Sequence, residues 1–245
     1  MPADAIQPAS GGPVELRDRE ICAGTWVVVP LYNEASVIAD VLHRLRATFP
    51  NVVVVDDGST DGSAEAARPE ATWLLRHIVN RGQGAALQTG TEFALSRGAE
   101  RIAHFDADGQ HRVRDLLEMS RLVASGECEI CLGDRFADGA EEVPRGRRLL
   151  LRAAVLFHRI ASGSDLSDVH NGLRVLSRRA AERIEITADR MAHASELVDL
   201  VANSNLPVRQ VPVRIRYSEY SRGKGQRWTG GFRVLFHYLV GRIFG

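Results

Sequence analysis

Residues 51–59 read Asn51-Val52-Val53-Val54-Val55-Asp56-Asp57-Gly58-Ser59, and this stretch decides the fold class. Its four valines are β-branched and apolar at every position rather than at alternate ones. That is the pattern of a strand covered on both faces. The run stops on two carboxylates and a Gly-Ser turn. Such a strand needs helices above and below its sheet, and the flanking sequence offers them. Upstream, Thr25–Pro30 is a second apolar run, and Glu34–Thr48 carries Val37, Val41, Leu42 and Leu45 at helical spacing. Downstream, a helix is expected from Asp61, a natural N-cap. A strand over Trp73–Val79, a helix over Gly84–Ser96, a strand over Arg101–Asp106, a helix over Val113–Ala124 and a strand over Cys128–Arg135 follow. Apolar strands alternating with helices predict an α/β fold, a parallel sheet with helices on both faces.

Parallel sheets of this kind take ligands beyond the carboxyl ends of their strands. The segments there are Pro30-Leu31-Tyr32-Asn33-Glu34, Asp56-Asp57-Gly58-Ser59, Asn80-Arg81-Gly82-Gln83-Gly84 and Asp106-Ala107-Asp108-Gly109-Gln110. All are polar and all should converge on one edge. Asp106, Asp108 and Gln110 offer two carboxylates and an amide oxygen, a hard oxygen set suited to Mg²⁺ or Mn²⁺. Alone, D-x-D would read as a polar turn. Its place at the end of the fourth strand, beside Asp56 and Asp57 at a neighbouring strand end, favours a site. Asp56 and Asp57 can accept hydrogen bonds from a ribose or a nucleobase, and with Asp61 filling the capping role they need a use other than the turn. Gly82 and Gly84 let backbone approach a ligand where a helix start presents free N–H groups. The segment has no third glycine and follows the third strand, so it is not a dinucleotide fingerprint, and no Walker-type loop with Lys is present.

The rest of the chain is less regular. Gly146–Ser162 is an Arg-rich amphipathic helix, Asn171–Leu176 a strand, Ala192–Asn203 a helix, Val208–Tyr217 a strand and Trp228–Phe244 a second amphipathic helix. Residues 1–24 show no periodicity and no apolar signal-peptide run, and are expected to form a disordered tail. No stretch reaches the roughly 18 apolar residues of a membrane span, so a cytoplasmic protein, able to lie on the inner face of a membrane through its basic amphipathic helices, is expected. Acidic and basic residues balance at 31 each, so bulk charge points to no nucleic-acid partner. Cys22, Cys128 and Cys131 make an odd, low count suited to a reducing compartment. Cys128 and Cys131 are expected in one strand, facing opposite sides of the sheet.

The motifs V-V-V-P-L-Y-N-E, V-V-D-D-G-S-T-D-G-S, N-R-G-Q-G-A-A-L, D-A-D-G-Q-H and G-D-R-F occur in that order. Together they resemble the family 2 glycosyltransferases, and among them the polyprenyl-phosphate sugar transferases typified by dolichyl-phosphate mannosyltransferase. The resemblance runs from residue 25 to about residue 225. It implies a nucleotide-diphospho-sugar transferase (GT-A type) fold, with a mixed, mostly parallel sheet. The expected division is a glycosyltransferase domain at 25–227 and a C-terminal amphipathic helix at 228–245. Pro30, Tyr32, Glu34 and Asp57, with Asp56 beside them, match nucleoside-holding positions. Asp106, Asp108 and Gln110 match the metal and donor diphosphate positions, and Arg135 matches an arginine near the phosphates. Glu196 matches the acidic position of the acceptor-side helix. Lys224, in Tyr220-Ser221-Arg222-Gly223-Lys224-Gly225-Gln226, falls in a loop resembling one that closes over the donor.

The implied reaction is inverting transfer from a nucleotide-diphosphate sugar to a polyprenyl phosphate or a glycolipid or polysaccharide precursor. Asp108, Arg135, Glu196 and Lys224 are the catalytic candidates, and Asp165 and Asp168 share with Glu196 the role of base if the acceptor is a hydroxyl. The chain lacks the transmembrane helices of many relatives, and both a separate small membrane protein and a homodimer stand open as partners. Two other readings remain: a sugar-nucleotide nucleotidyltransferase, disfavoured because Pro30–Glu34 is not a basic glycine-rich loop, and a non-catalytic scaffold in a polysaccharide complex.

Overall fold

The computed structural model describes residues 16–135, 171–187 and 193–216. In chain order the elements are α1 (Leu16–Gly24), β1 (Thr25–Leu31), α2 (Ile38–Arg46), β2 (Asn51–Asp56), α3 (Ser63–Ala67), β3 (Trp73–Arg76) and α4 (Gln83–Ser96). They continue with β4 (Arg101–His104), α5 (Val113–Ala124), β5 (Ile130–Asp134), β6 (Arg174–Ser177), α6 (Arg178–Arg183), α7 (His193–Asn203) and β7 (Val208–Pro212). The seven strands form one sheet in the order β3-β2-β1-β4-β6-β5-β7. Strands β3, β2, β1 and β4 are parallel, β6 runs antiparallel between β4 and β5, and β7 lies parallel to β5. The sheet is mixed and mostly parallel, the architecture of the GT-A type fold.

The valines of β2 divide between two cores. Val52 and Val54 pack with Val27, Val29, Leu42, Leu45, Leu116 and Met119 on one face. Val53 and Val55 pack with Val28, Ala86, Leu87, Ala94, Leu197 and Val201 on the other. This two-sided burial is why the strand reads as an unbroken apolar run. The register pairs Leu31 with Asp56 across β1 and β2, so the Tyr32 loop and the Asp57 turn leave the sheet at the same level.

Several boundaries differ from the sequence reading. Residues 16–24, assigned to a disordered tail, form α1. Its Ile21 and Cys22 are buried, and Arg121 donates two hydrogen bonds, at 2.8 and 2.6 Å, to the Asp18 carboxylate. The anchor is a long-range ion pair with α5, which local periodicity does not report. The α3 helix starts at Ser63 after Gly62, not at Asp61. Cys128 precedes β5, so strand alternation does not govern it. Cys128 and Cys131 share one core instead of facing opposite sides. The expected helices at 146–162 and 228–244 lie outside the described residues. Among the described residues no helix is long and apolar enough to cross a membrane.

Candidate active site

The loops after β1, β2 and β3 are tied into one wall. Asn33 takes a positive φ of 53° and donates its N–H to Ser59 Oγ at 3.0 Å, while its Oδ1 accepts from Thr60 N–H at 3.0 Å. Glu34 N–H donates to Ser63 Oγ at 2.8 Å and Ala35 N–H to Asp61 Oδ2 at 3.1 Å. Asp61 therefore braces the β1 loop as well as the start of α3. Gly58, at φ +74°, faces the Val79–Asn80 peptide, whose atoms would lie 3.1 Å from a Cβ there. Both its φ and that close approach call for glycine.

The two aspartates after β2 serve different ends. Asp56 is fully buried, accepts from Ser59 N–H at 3.1 Å and pairs electrostatically with Arg76, whose Nε lies 3.0 Å from Oδ2 without the alignment of a hydrogen bond. Asp57 turns toward the third loop. Its Oδ1 accepts from Arg81 N–H at 2.9 Å and lies 2.7 Å from His77 Nδ1, and its Oδ2 accepts from Gly82 N–H at 2.6 Å. Gly82, at φ 99°, opens α4.

The residues after β4 carry the concentrated charge. Asp106 Oδ1 accepts from Gln83 Nε2 at 2.9 Å, and its Oδ2 lies 3.0 Å from His111 Nε2. Burial raises the Asp106 pKa, but the hydrogen bond from His111 and the charges of His111, Arg174 and Arg135 outweigh it, so the net shift is down. Asp108 is pushed the other way, first by burial, then by the Asp106 charge, with Glu34 adding to it, against the Gln110 N–H that donates at 3.0 Å. Gly172 packs directly on Asp106: a Cβ there would fall far inside van der Waals contact of the carboxylate.

A cleft of about 450 Å³ opens between these walls. Pro30, Tyr32, Glu34, Asp57, Gly82, Asp106 and Asp108 line it, with Leu31, Asn80, Gln83, Ala86 and Ala107. Tyr32 is 48% exposed. Seven of the expected site positions thus meet around one open space at the sheet's carboxyl edge.

A family description for glycosyl transferase family 2 matches residues 26–185. The chain belongs to that glycosyltransferase family. The transferase is 35% identical over 224 residues to an uncharacterized protein of Methanocaldococcus jannaschii, covering 89% of this chain and 92% of that one. It is 25% identical over 237 residues to the UDP-N-acetylglucosamine–dolichyl-phosphate N-acetylglucosaminyltransferase of Methanococcus voltae, covering 88% and 94%. Its fold matches Mycobacterium tuberculosis glucosyl-3-phosphoglycerate synthase in complex with Mn²⁺, UDP-glucose and phosphoglyceric acid. The TM-score is 0.62 at 18% identity, over 87% of this chain and 77% of that one. Family membership decides against the nucleotidyltransferase and scaffold readings.

The other expected residues that the structure describes are not among those lining the cleft. Asp56 sits behind it as a brace. Arg135 follows β5 and acts on Asp106 by its charge. Gln110 is tied through its backbone, with its carbonyl accepting from Arg216 N–H at 2.8 Å. Glu196 is not among the residues lining the cleft; its carboxylate accepts from Thr187 N–H at 3.0 and 3.1 Å. Lys224, Asp165 and Asp168 lie outside the described residues.

Four contributors were not picked out from the sequence: His77, Gln83, His111 and Gly172. Gln83, His111 and Gly172 had a visible signal, their places in N-R-G-Q-G-A-A-L, D-A-D-G-Q-H and Asn171-Gly172-Leu173-Arg174, but no role was given to them. His77 matters through contacts with residues far away in the chain. Among the described residues no group of three His, Cys, Asp or Glu side chains forms a cage for a metal ion. Asp106 and Asp108 are the two carboxylates of the cleft that are close enough in sequence and charge to act on one ion. The mutual repulsion of Asp106, Asp108 and Glu34 fits a bound cation.

Proposed function

We propose that this transferase moves a sugar, with inversion at the anomeric carbon, from a nucleotide-diphosphate sugar to a polyprenyl phosphate. The observation that carries this is the Asp106/Asp108 pair lining the same cleft as Tyr32, Asp57 and Gly82. Tyr32 offers an exposed aromatic face to a nucleobase. Pro30, Glu34 and the 80–82 loop bound the space for the nucleoside. Asp106 and Asp108 would hold Mg²⁺ or Mn²⁺, which when bound neutralises charge on the leaving diphosphate. Asp106 stays ionised because His111 and the cationic Arg174 and Arg135 favour its charged form. Arg135 supplies fixed positive charge on the phosphate side.

The chain leaves the described region at Arg216, which is hydrogen-bonded to Gln110. Lys224 follows eight residues later, within about 28 Å of extended chain. We assign it to a loop that folds over the donor, within a catalytic domain at 25–227. The helices proposed at 146–162 and 228–244 would rest on the cytoplasmic face of an anionic membrane, either directly or with a small membrane protein or a second copy of the chain.

The Methanococcus voltae relative uses a dolichyl phosphate, and a phosphate acceptor is already an anion that needs no general base. The Glu196 carboxylate, turned to Thr187, is consistent with that: Glu196→Gln should retain most turnover, whereas loss of a base would cost roughly 10²–10⁴-fold. The metal assignment is tested by nucleoside-diphosphate release from UDP- and GDP-sugars with Mn²⁺, with Mg²⁺ and with EDTA. Release should require a divalent ion and vanish in Asp108→Ala; full activity in EDTA would refute it.

A further inference from the structure

Asp57 has its carboxylate shared among three protein donors, and one of them is itself held. His77 is 11% exposed at its side chain and Asp57 is 3% exposed. His77 Nδ1 lies 2.7 Å from Asp57 Oδ1, and its Nε2 lies 3.0 Å from Thr89 Oγ1 on α4. An ionised Asp57 needs a proton on Nδ1. In the neutral ring Nε2 then accepts the Thr89 hydroxyl, which fixes the tautomer and the ring plane. The His77 backbone is pinned too, its N–H donating to Asp56 O at 2.8 Å. On its other side Asp57 holds the N–H groups of Arg81 and Gly82, the two residues before α4 begins.

A chain of contacts thus runs from α4 through Thr89, His77 and Asp57 back to the loop that opens α4. His77 itself does not line the cleft, while Asp57, Asn80 and Gly82 do. The loop needs such a brace. Gly82 has a conformation closed to most side chains, and the tip beside it exposes Ile78 fully and Val79 at 63%, so burial of the tip does not hold it in place.

We propose that His77 is a positioning residue for the donor. By orienting the Asp57 carboxylate it fixes the 80–82 loop at the distance the nucleotide requires, and Thr89 sets the His77 ring. This rests on the reading of the cleft as a nucleotide site.

The test pairs two measurements on the full-length chain. Hydrogen exchange of the ligand-free protein reads the loop, and calorimetry with UDP and with GDP, each with Mn²⁺, reads the cleft. His77→Ala should speed exchange at Arg81 and Gly82 and weaken nucleotide binding about tenfold, the scale on which outer-sphere partners act. In turnover the loss should fall on the donor KM rather than on kcat. His77→Asn keeps a donor at the Nδ1 position and should recover most of the loss. His77→Gln reaches only the Nε2 position and should not. Thr89→Val should shift both readouts in the same direction by less, and it serves if His77→Ala fails to fold. Unchanged exchange and affinity in folded His77→Ala, or equal behaviour of the Asn and Gln variants, would overturn the role given to His77. Wild type that binds neither nucleotide, with loop exchange still responding to His77→Ala, would instead overturn the nucleotide-site reading beneath it.

Discussion

Asp106 and Asp108 stand two residues apart under opposite electrostatic conditions, and that difference can be measured. The raised pKa of Asp108, caused by burial and then by Asp106, means that folding disfavours its charged form. Its ionisation therefore subtracts stability as pH rises above the ordinary value of about 3.9. Metal-free Asp108→Asn should melt at or above the wild-type temperature at pH 7. Melting clearly below wild type would show that the carboxylate is structural. Protons also compete with the cation at Asp108, so apparent Mn²⁺ affinity should fall as pH drops toward its raised pKa. Gly172 tests the other carboxylate. A methyl group there has no room beside Asp106, so Gly172→Ala must displace it. A shift near 1 Å can cost on the order of 10²-fold in rate. Steady-state turnover reduced on the order of 10²-fold, with the fold retained in the melting curve, is the expected pattern, and wild-type turnover would show that Asp106 does not need its present position.

At the level of elements, α4 borders the cleft because Gly82 and Gln83, at its start, line it. It packs on β1 through Gly90, where a Cβ would collide with Val28 and press on Val55. Gly90→Ala gains about 1 kcal/mol of helix propensity, but overpacking costs about 1–3 kcal/mol. The second effect should win and lower the urea midpoint; an equal or higher midpoint would mean that α4 can lift from the sheet freely. The same elements show what the sequence makes legible. The covered strands β1 and β2 and the helix Val113–Ala124 announce themselves because burial on fixed faces dictates composition residue by residue. Helix α1 does not, since Asp18 and Arg121 meet across 103 positions of chain. For the site, Asp106, Asp108 and Tyr32 follow from the rule that strand ends bind ligands. That Asp56 is a brace, that Asp57 serves the 80–82 loop and that Glu196 turns to Thr187 depend on which neighbour each carboxylate finds, and only the packed fold decides that.

For the whole molecule, one mixed sheet gathers the β1, β2, β3 and β4 loops around the cleft and sets Gly172 against Asp106, so a residue from the second half of the chain backs a cleft lined by the first. On the proposed reading, an acceptor arriving at that cleft would meet a diphosphate neutralised by a divalent ion on Asp106 and Asp108, with Arg135 adding positive charge. No base is then needed if the acceptor is itself a phosphate. The most direct measurement is transfer of radiolabelled sugar from UDP-N-acetylglucosamine, UDP-glucose and GDP-mannose to undecaprenyl phosphate and dolichyl phosphate in detergent. At least one donor should yield a labelled lipid-phosphate sugar together with an equal amount of nucleoside diphosphate, and EDTA and Asp108→Ala should abolish both. Label appearing on a sugar hydroxyl while the lipid phosphates stay unlabelled, or lipid labelling indifferent to EDTA and to Asp108→Ala, would contradict the account.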